Sequence, residues 1–326
     1  MQLVINSYGA YLKKKGNCFL VKVEDRELEL SVRKVDSILI ATSAFLSTDA
    51  VKLALEHNID IIFLDRRGAP YGRVWHSKLG STTLIRRRQL ELSMEEGGFL
   101  LAKTWVVAKV ENQLEFLREL ARTRRGKEML LKPSIGELSS LSSEIAGLSG
   151  CISDLRGKLL SLEAQAGRVY FQTLSLIMPD AFRFEGRSRH PAKDEFNALI
   201  NYGYGILYSL VEKACIIAGL DPYVGFFHAD NYNRKSLVFD LIEPYRIWVD
   251  RVVVKLIASR KVKKSYFDPI PGGVSLNEEG RKLLISALNE FLEKPIRYRG
   301  RNIKRRNIIQ FDCHQLANSL LKGRGK

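Results

Sequence analysis

Long apolar runs are missing from this sequence. The unbroken ones are a few residues long, as at Ile61–Leu64, whereas a bilayer crossing needs about 20, so no membrane span is expected. The opening residues also lack the basic region, apolar region and small-residue cleavage site of a secretory leader; Met1 to Gly9 reads as the start of a strand. Cysteine is scarce. Cys18, Cys151, Cys215 and Cys313 stand singly, which fits neither a disulfide framework nor a zinc site built from close pairs; a reducing, cytoplasmic setting is the expectation. Acidic residues are in short supply, 36 against 52 Lys and Arg, leaving a formal charge of +16. Such an excess repels itself unless an anionic partner shares it, which favours nucleic acid over a neutral metabolite. Internal repeats and low-complexity tracts are absent, and no Gly-x-Gly-x-x-Gly turn within a βαβ series marks a dinucleotide site.

What remains is 326 residues, 45% of them hydrophobic, enough for two domains. From Met1 to about Trp75 short runs alternate with period two between turn residues. NSYGAYLKKKGNCFLVKV, with Gly9 and the Lys15–Asn17 turn, then ELELSV and VDSILIA, predict antiparallel strands. STDAVKLALEH shifts to helical spacing with Ser47 or Thr48 as cap, and Ile59–Leu64 returns to a buried strand ending near Asp65 and Gly68. The fold class predicted is α+β: a small β-rich, sandwich-like domain over 1–85, then a larger helical domain over 86–326.

The helical part opens with a basic cluster at Arg86–Arg88 and a stretch from Gln89 to about Arg125, loosened near Gly97 and Gly98. Further helices are predicted over Ile135–Leu148, Cys151–Ile177, Ala192–Ala218, Ser236–Arg260 and Asn277–Phe291. The first 90 residues carry 15 basic and 9 acidic side chains, and Pro295–Lys326 carries nine basic residues with Asp312 as its one acid. That terminal segment reads as a flexible basic tail on a phosphate backbone or as a solvated end that maintains solubility.

Several residues have the chemistry of a site. In GLDPYVGFFHADNYNRKSLVFDLIEPYRIWVDR, a turn at Asp221-Pro222 leads through an apolar segment to His228. Ser236 is a candidate cap, and Asp240 and Glu243 are neighbours on one helical face, with Arg246 one turn on and Pro244 breaking the ladder. A carboxylate cluster with one histidine suits Mg²⁺ or Mn²⁺ that keeps several waters; solvent-facing acids are the plainer alternative. In LLSLEAQAGRVYFQTL, Glu163 sits beside an apolar stripe near Arg168 and must reach water or a charge partner. In RSRHPAKDEFNALINYGYGIL, Arg187, Arg189 and His190 offer donors for phosphate. Asn197, Asn201, Tyr202 and Tyr204 lie among apolar helix residues, where amides hold a loop or line a wet face.

Taken together, the NSYGAYLKKKGN hairpin, IDIIFLDRRGAPYGR, LEAQAGRVYF, RSRHPAKDEFNALINYGYGIL and GLDPYVGFFHADNYNRKSLVFDLIEPYR resemble the CRISPR-associated integrase, the metal-dependent DNA endonuclease subunit of the spacer-acquisition complex. The resemblance covers nearly the whole chain. It implies an N-terminal β-rich domain used in homodimerisation, a helical catalytic domain, and assembly with a small CRISPR-associated partner dimer on double-stranded and branched DNA. It also implies Mg²⁺ or Mn²⁺ held by Glu163, His228 and Glu243 as catalytic ligands, with Asp240, Asn197 and Tyr202 in support. Arg187, Arg189, His190 and Arg246 are the expected nucleic-acid contacts. The position of Glu243 is an aspartate in some relatives, and the loop after His228 varies, so Asn231 and Asn233 carry no expected role. A noncatalytic nucleic-acid-binding scaffold is the alternative from another class.

Overall fold

The structure, a computed structural model, describes residues 2–35, 37–57, 59–65, 70–74, 82–124, 126–149, 152–228 and 234–322. Gly68, Cys151, Asn231 and Asn233 lie outside the described residues. The chain divides into two compact units, Met1–Gly80 and Ser81–Lys326.

In the first unit the chain runs β1 (Gln2–Ile5), β2 (Ala10–Lys15), β3 (Cys18–Val23), β4 (Arg26–Ser31), β5 (Ser37–Ile40), β6 (Ala44–Leu46), α1 (Thr48–Glu56), β7 (Asp60–Leu64) and β8 (Pro70–Val74). These form two four-stranded sheets, ordered β1-β5-β7-β8 and β4-β3-β2-β6. Alternation along the strands sends Leu3, Ile5, Ile38, Ile40 and Ile61 from one sheet and Leu12, Phe19 and Val21 from the other into one core, joined by Leu53 and Ala54 of α1. Ser47 caps α1, its hydroxyl accepting from the Ala50 amide at 3.2 Å.

The antiparallel expectation holds for β2-β3-β4 and for β7-β8, but β1, β5 and β7 pair in parallel, as do β2 and β6. The physical reason is readable afterwards. The β5–β7 connection passes through β6 and α1, long enough for a crossover. All four residues of β5 are buried, and Leu39, Ile62 and Leu64 form a second small cluster; apolar residues on both faces are the mark of a parallel strand.

The second unit contains α2 (Thr82–Ser93), α3 (Glu96–Thr123), α4 (Glu128–Ala146), α5 (Ile152–Ile177), α6 (Glu195–Ile217), α7 (Ser236–Ile242), α8 (Arg246–Ala258), the hairpin β9 (Phe267–Ile270) and β10 (Gly273–Leu276), α9 (Glu278–Glu293), the hairpin β11 (Pro295–Tyr298) and β12 (Arg301–Lys304), and α10 (Arg305–Lys322). Strands first and helices after make the α+β class. Helix begins at Thr82, so Arg86–Arg88 lie inside it, and the chain breaks at Met94 and Glu95 rather than at the glycines. The single helix expected over Ser236–Arg260 is two helices joined by a 3-10 turn, Glu243–Tyr245, where Pro244 has no amide to donate. Ser236 is the first residue of α7, not its cap; Lys235 takes the cap position without a side-chain bond.

The C-terminal segment is the largest correction. Residues 295–322 are neither a flexible tail nor a solvated end: they form the β11–β12 hairpin and an 18-residue helix. Its Ile308, Ile309, Cys313, Leu316, Ala317 and Leu320 are buried, in a helix packed on α6, α9 and α2. Arg305, Arg306 and Lys322 stand at the ends of that helix, and between them runs an apolar stripe that a charge count does not see. Cys313 lies near Cys215 of α6, both thiols free and buried, and burial together with Cys313 pushes the Cys215 thiol well above its ordinary value, so these two cysteines are not isolated. Among the described residues no helix is long and apolar enough to cross a membrane.

Each large aliphatic side chain of α10 contributes about 1.5–3 kcal/mol by burial, and the four of that kind together rival a whole domain's stability of about 5–15 kcal/mol. A chain ending at Lys294 is therefore expected to lose the cooperative thermal transition of its helical unit, read by circular dichroism. A merely weakened salt dependence of DNA binding, with the transition intact, would show that α10 is dispensable.

Candidate functional site

Three helical elements of the second unit meet around one ammonium group. Lys109 of α3 is ion-paired to Glu163 of α5 and lies 2.7 Å from Oε2 of Glu243 on the 3-10 turn. Arg246 closes the other side, its Nε donating to Glu243 Oε1 at 2.9 Å. Asn112, one turn beyond Lys109 on α3, donates to the Pro244 carbonyl at 2.9 Å, so one face of α3 holds both the carboxylate and the backbone of that turn. The Glu163 partner was sought near Arg168; it comes instead from 54 residues earlier.

Glu243 is the buried member, its side chain 5% exposed against 24% for Glu163. Burial acts to raise its pKa, but the charges of Arg246 and Lys109 outweigh that and hold it at about 2. Burial likewise acts to lower Lys109, and Glu243 and Glu163 keep it above its ordinary value. Although Lys109 is close, Glu243 Oε2 accepts no hydrogen bond among the described residues, so a buried carboxylate oxygen is turned toward the cation without a directed donor.

His228 is presented by a loop with little freedom. Gln89 of α2, fully buried, donates to the carbonyls of Asp221 and Val224 at 2.8 and 2.7 Å and accepts from the Asp221 amide. Asp240 accepts the amides of Phe226, Phe227 and His228 at 2.6, 3.0 and 3.0 Å. Gly225 permits this closeness: a Cβ there would lie 2.6 Å from Ser236 Cβ and 3.1 Å from the Asp240 carboxylate. The same carboxylate takes His228 Nδ1 at 2.6 Å, which orients the ring and leaves Nε2 as its ligand nitrogen. The His228 side chain is 19% exposed.

The amide-bearing helix α6 builds a second shell of contacts. Asn197, capped into place by Asp194, accepts from Arg187 and the Ser188 amide and donates to the Gly186 carbonyl at 2.8 Å. Asn201 accepts from Arg187 at 2.8 Å and donates to the Ser188 and Arg189 carbonyls. Arg187 also stacks between Phe171 and Tyr204. It is an internal strut for the 186–189 loop, not the open phosphate donor the sequence suggested. Arg246, likewise, is engaged by Glu243 and the Tyr204 ring. Arg189 and His190 are exposed.

Tyr202 is buried on α6, and Tyr204, two residues on, reaches Asp250. Its hydroxyl and that of Tyr170 donate to Asp250 of α8 at 2.7 and 3.0 Å. Gly203 lets α6 and α8 approach, since a Cβ there would stand 2.4 Å from Val249. Burial raises Asp250 to about 6 against the lowering effect of the two hydroxyls and of Arg187. Lys109, Gln89 and Asp250 are the members that sequence reasoning missed. Each is an ordinary residue of an apparently ordinary helix, and no local spacing marks it.

The donor chemistry suits Mg²⁺ or Mn²⁺: two carboxylates meeting on one cation, one with an undirected oxygen, beside an imidazole braced at Nδ1. No three such groups form a ready-made cage among the described residues, and Lys109 contacts both carboxylates.

The family described as CRISPR associated protein Cas1 matches residues 3–290. The chain belongs to this family. Among its Cas1 relatives, CRISPR-associated endonuclease Cas1 1 of Archaeoglobus fulgidus is 37% identical, over 99% of this chain and 97% of the relative. CRISPR-associated endonuclease Cas1 2 of Saccharolobus solfataricus is 30% identical over 99% and 95%. A Cas1 protein of Thermotoga maritima has the same fold at a TM-score of 0.82 and 25% identity, covering 100% of this chain and 99% of that one.

Two outcomes follow for this Cas1 chain. Asp240→Ala strips three loop amides of their acceptor and is expected to cost at least about 3 kcal/mol in urea unfolding; a change under about 1 kcal/mol would contradict its role as the loop anchor. Asp250, ordinarily near 3.8, binds its proton more tightly when folded, so stability contributed by protonation is present below about pH 4 and is lost as pH rises to about 6. Melting temperatures of wild type and Asp250→Asn across that window should diverge, wild type declining relative to the variant.

Proposed function

We propose that this chain is a divalent-metal-dependent DNA endonuclease and integrase, inserting short DNA fragments at CRISPR repeats during spacer acquisition by phosphodiester transfer. The observation that carries the reading is the meeting of Glu163 and Glu243 on one cation, beside a histidine whose Nδ1 is held by Asp240. Membership of a family whose relatives are named endonucleases supports the reaction class, and the charge of +16 suits a polyanionic substrate.

Glu163, Glu243 and His228 Nε2 would hold Mg²⁺ or Mn²⁺. Bound there, the ion would polarise the scissile phosphate and neutralise charge on its oxygens. Glu243 stays ionised through the working pH range because Arg246 and Lys109 flank it. Asp240 fixes the imidazole, and Asn197 and Asn201 fix the 186–189 loop, so the exposed Arg189 and His190 stand ready for backbone phosphates. A water or a DNA 3′-hydroxyl serves as nucleophile, so one site cuts or joins. Homodimerisation through the β-rich unit, a small CRISPR-associated partner dimer, and double-stranded or branched DNA as substrates belong to the same proposal.

Glu163→Gln and Glu243→Gln are each expected to lower Mn²⁺-dependent nicking of branched DNA, and strand transfer of a short duplex into a repeat-bearing plasmid, by about 100-fold or more, with DNA binding in the absence of metal retained. The joining assay is run with and without the small partner. Full activity in either variant across metal concentrations would overturn the assignment. Tight DNA binding by wild type without any metal-dependent nicking would favour the noncatalytic scaffold.

A further inference from the structure

Lys109 is not a ligand in the metal reading, yet it is the group the carboxylates converge on. Its side chain is 10% exposed, in contact with Glu163 and Glu243, while Arg246 holds the far oxygen of Glu243. The two carboxylates are thus already matched by two cations. Glu163, Glu243 and Asp240 against Lys109 and Arg246 leave one net negative charge on the side chains around the imidazole. A divalent ion entering alone would turn that into one net positive charge in a half-buried site, where uncompensated charge is costly, and would have to displace the ammonium from the oxygens it holds. A phosphodiester brings one negative charge and returns the sum to zero. It also offers the displaced ammonium a new anionic partner.

We propose that Lys109 makes divalent-cation binding conditional on a DNA phosphate: the ammonium occupies Glu163 and Glu243 until cation and phosphate arrive together. The inference rests on the metal-site reading above and adds a coupling to it. By linkage the coupling is reciprocal, so the cation tightens DNA by the factor that DNA tightens the cation. Lys109 is a positioning residue in this scheme. It keeps two like-charged carboxylates together in the metal-free protein and sets the threshold for their release. The opposite expectation holds for a lysine that only braces the fold: its removal would let the carboxylates separate and would weaken the cation.

The test uses the full chain and Mn²⁺ as probe, with free Mn²⁺ read by electron paramagnetic resonance. Wild type, Lys109→Met, Lys109→Arg and Glu163→Gln are each titrated alone and saturated with branched DNA. The leaving oxygen of that DNA is replaced by methylene, which keeps the phosphate charge and blocks scission. DNA should tighten Mn²⁺ binding to wild type about tenfold or more, within the range of linked sites. Lys109→Met should bind Mn²⁺ alone about tenfold tighter than wild type and gain less than about threefold from DNA; Lys109→Arg should follow wild type. Mn²⁺ affinity of Lys109→Met alone that equals or falls below wild type, or a wild type with no gain from DNA, overturns the proposal. Where circular dichroism shows Lys109→Met unfolded, Lys109→Gln takes its place with the same expectation. Failure of the metal-site reading looks different: wild type then binds no Mn²⁺ in either arm, or Glu163→Gln binds it as wild type does.

Discussion

Two carboxylates cannot share a half-buried space without a cation between them, and in this chain the requirement is met by Lys109. Through it α3 is tied to α5 and to the turn between α7 and α8. Glu163 alone on α5 would have to reach water, and Glu243 alone would be a buried charge with one partner. Held together by Lys109, they stay close, and Arg246 and Lys109 keep Glu243 ionised. Pro244 contributes by ending the hydrogen-bond ladder one residue after Glu243, so that this carboxylate sits on a 3-10 turn rather than within a continuous helix.

Around that cluster the chain uses fully partnered polar side chains to hold irregular backbone. Asp240 gathers three consecutive amides and the imidazole. Gln89 pins the start of the same loop from another helix, and Asn197 and Asn201 do the equivalent for the 186–189 segment. Buried polar groups are costly unless satisfied, so each of these contacts fixes one geometry and penalises the alternatives. Asp250 extends the arrangement: two tyrosine hydroxyls hold its carboxylate, and one of those rings lies under Arg246, itself bound to Glu243. The C-terminal helix joins in from outside, with Tyr245, two residues beyond Glu243, donating to Asp312 of α10 at 2.7 Å.

Local pattern carried a good part of this. Period-two alternation identified the β2–β3 hairpin, and Ser47 announced α1. The three-residue step from Glu243 to Arg246 put these two side by side, which their ion pair bears out, whereas Asp240 turns to the His228 loop. Parallel pairing of β1, β5 and β7 was not legible, because strand direction depends on where α1 carries the chain and not on the strands themselves. Nor was α10: its buried stripe, Ile308 to Leu320, lies between basic residues at the two ends of the helix and follows the basic β11–β12 hairpin, and the charge total drew attention away from the spacing. Arg187 looked like a phosphate donor for a similar reason, since a guanidinium in a loop is open until Asn197, Asn201, Phe171 and Tyr204 are brought around it.

By itself, then, the sequence determined a strand-rich first part followed by a helical one, the positive balance that calls for an anionic partner, and the residue types at Glu163, His228, Asp240 and Glu243 through local spacing and resemblance. Tertiary structure alone decided that Lys109 stands between Glu163 and Glu243, that Gln89 holds the His228 loop, and that the basic terminus is a packed helix. These facts rest on contacts between residues far apart in the chain. Such contacts are set by which faces are buried together, and no single segment encodes its partner's position.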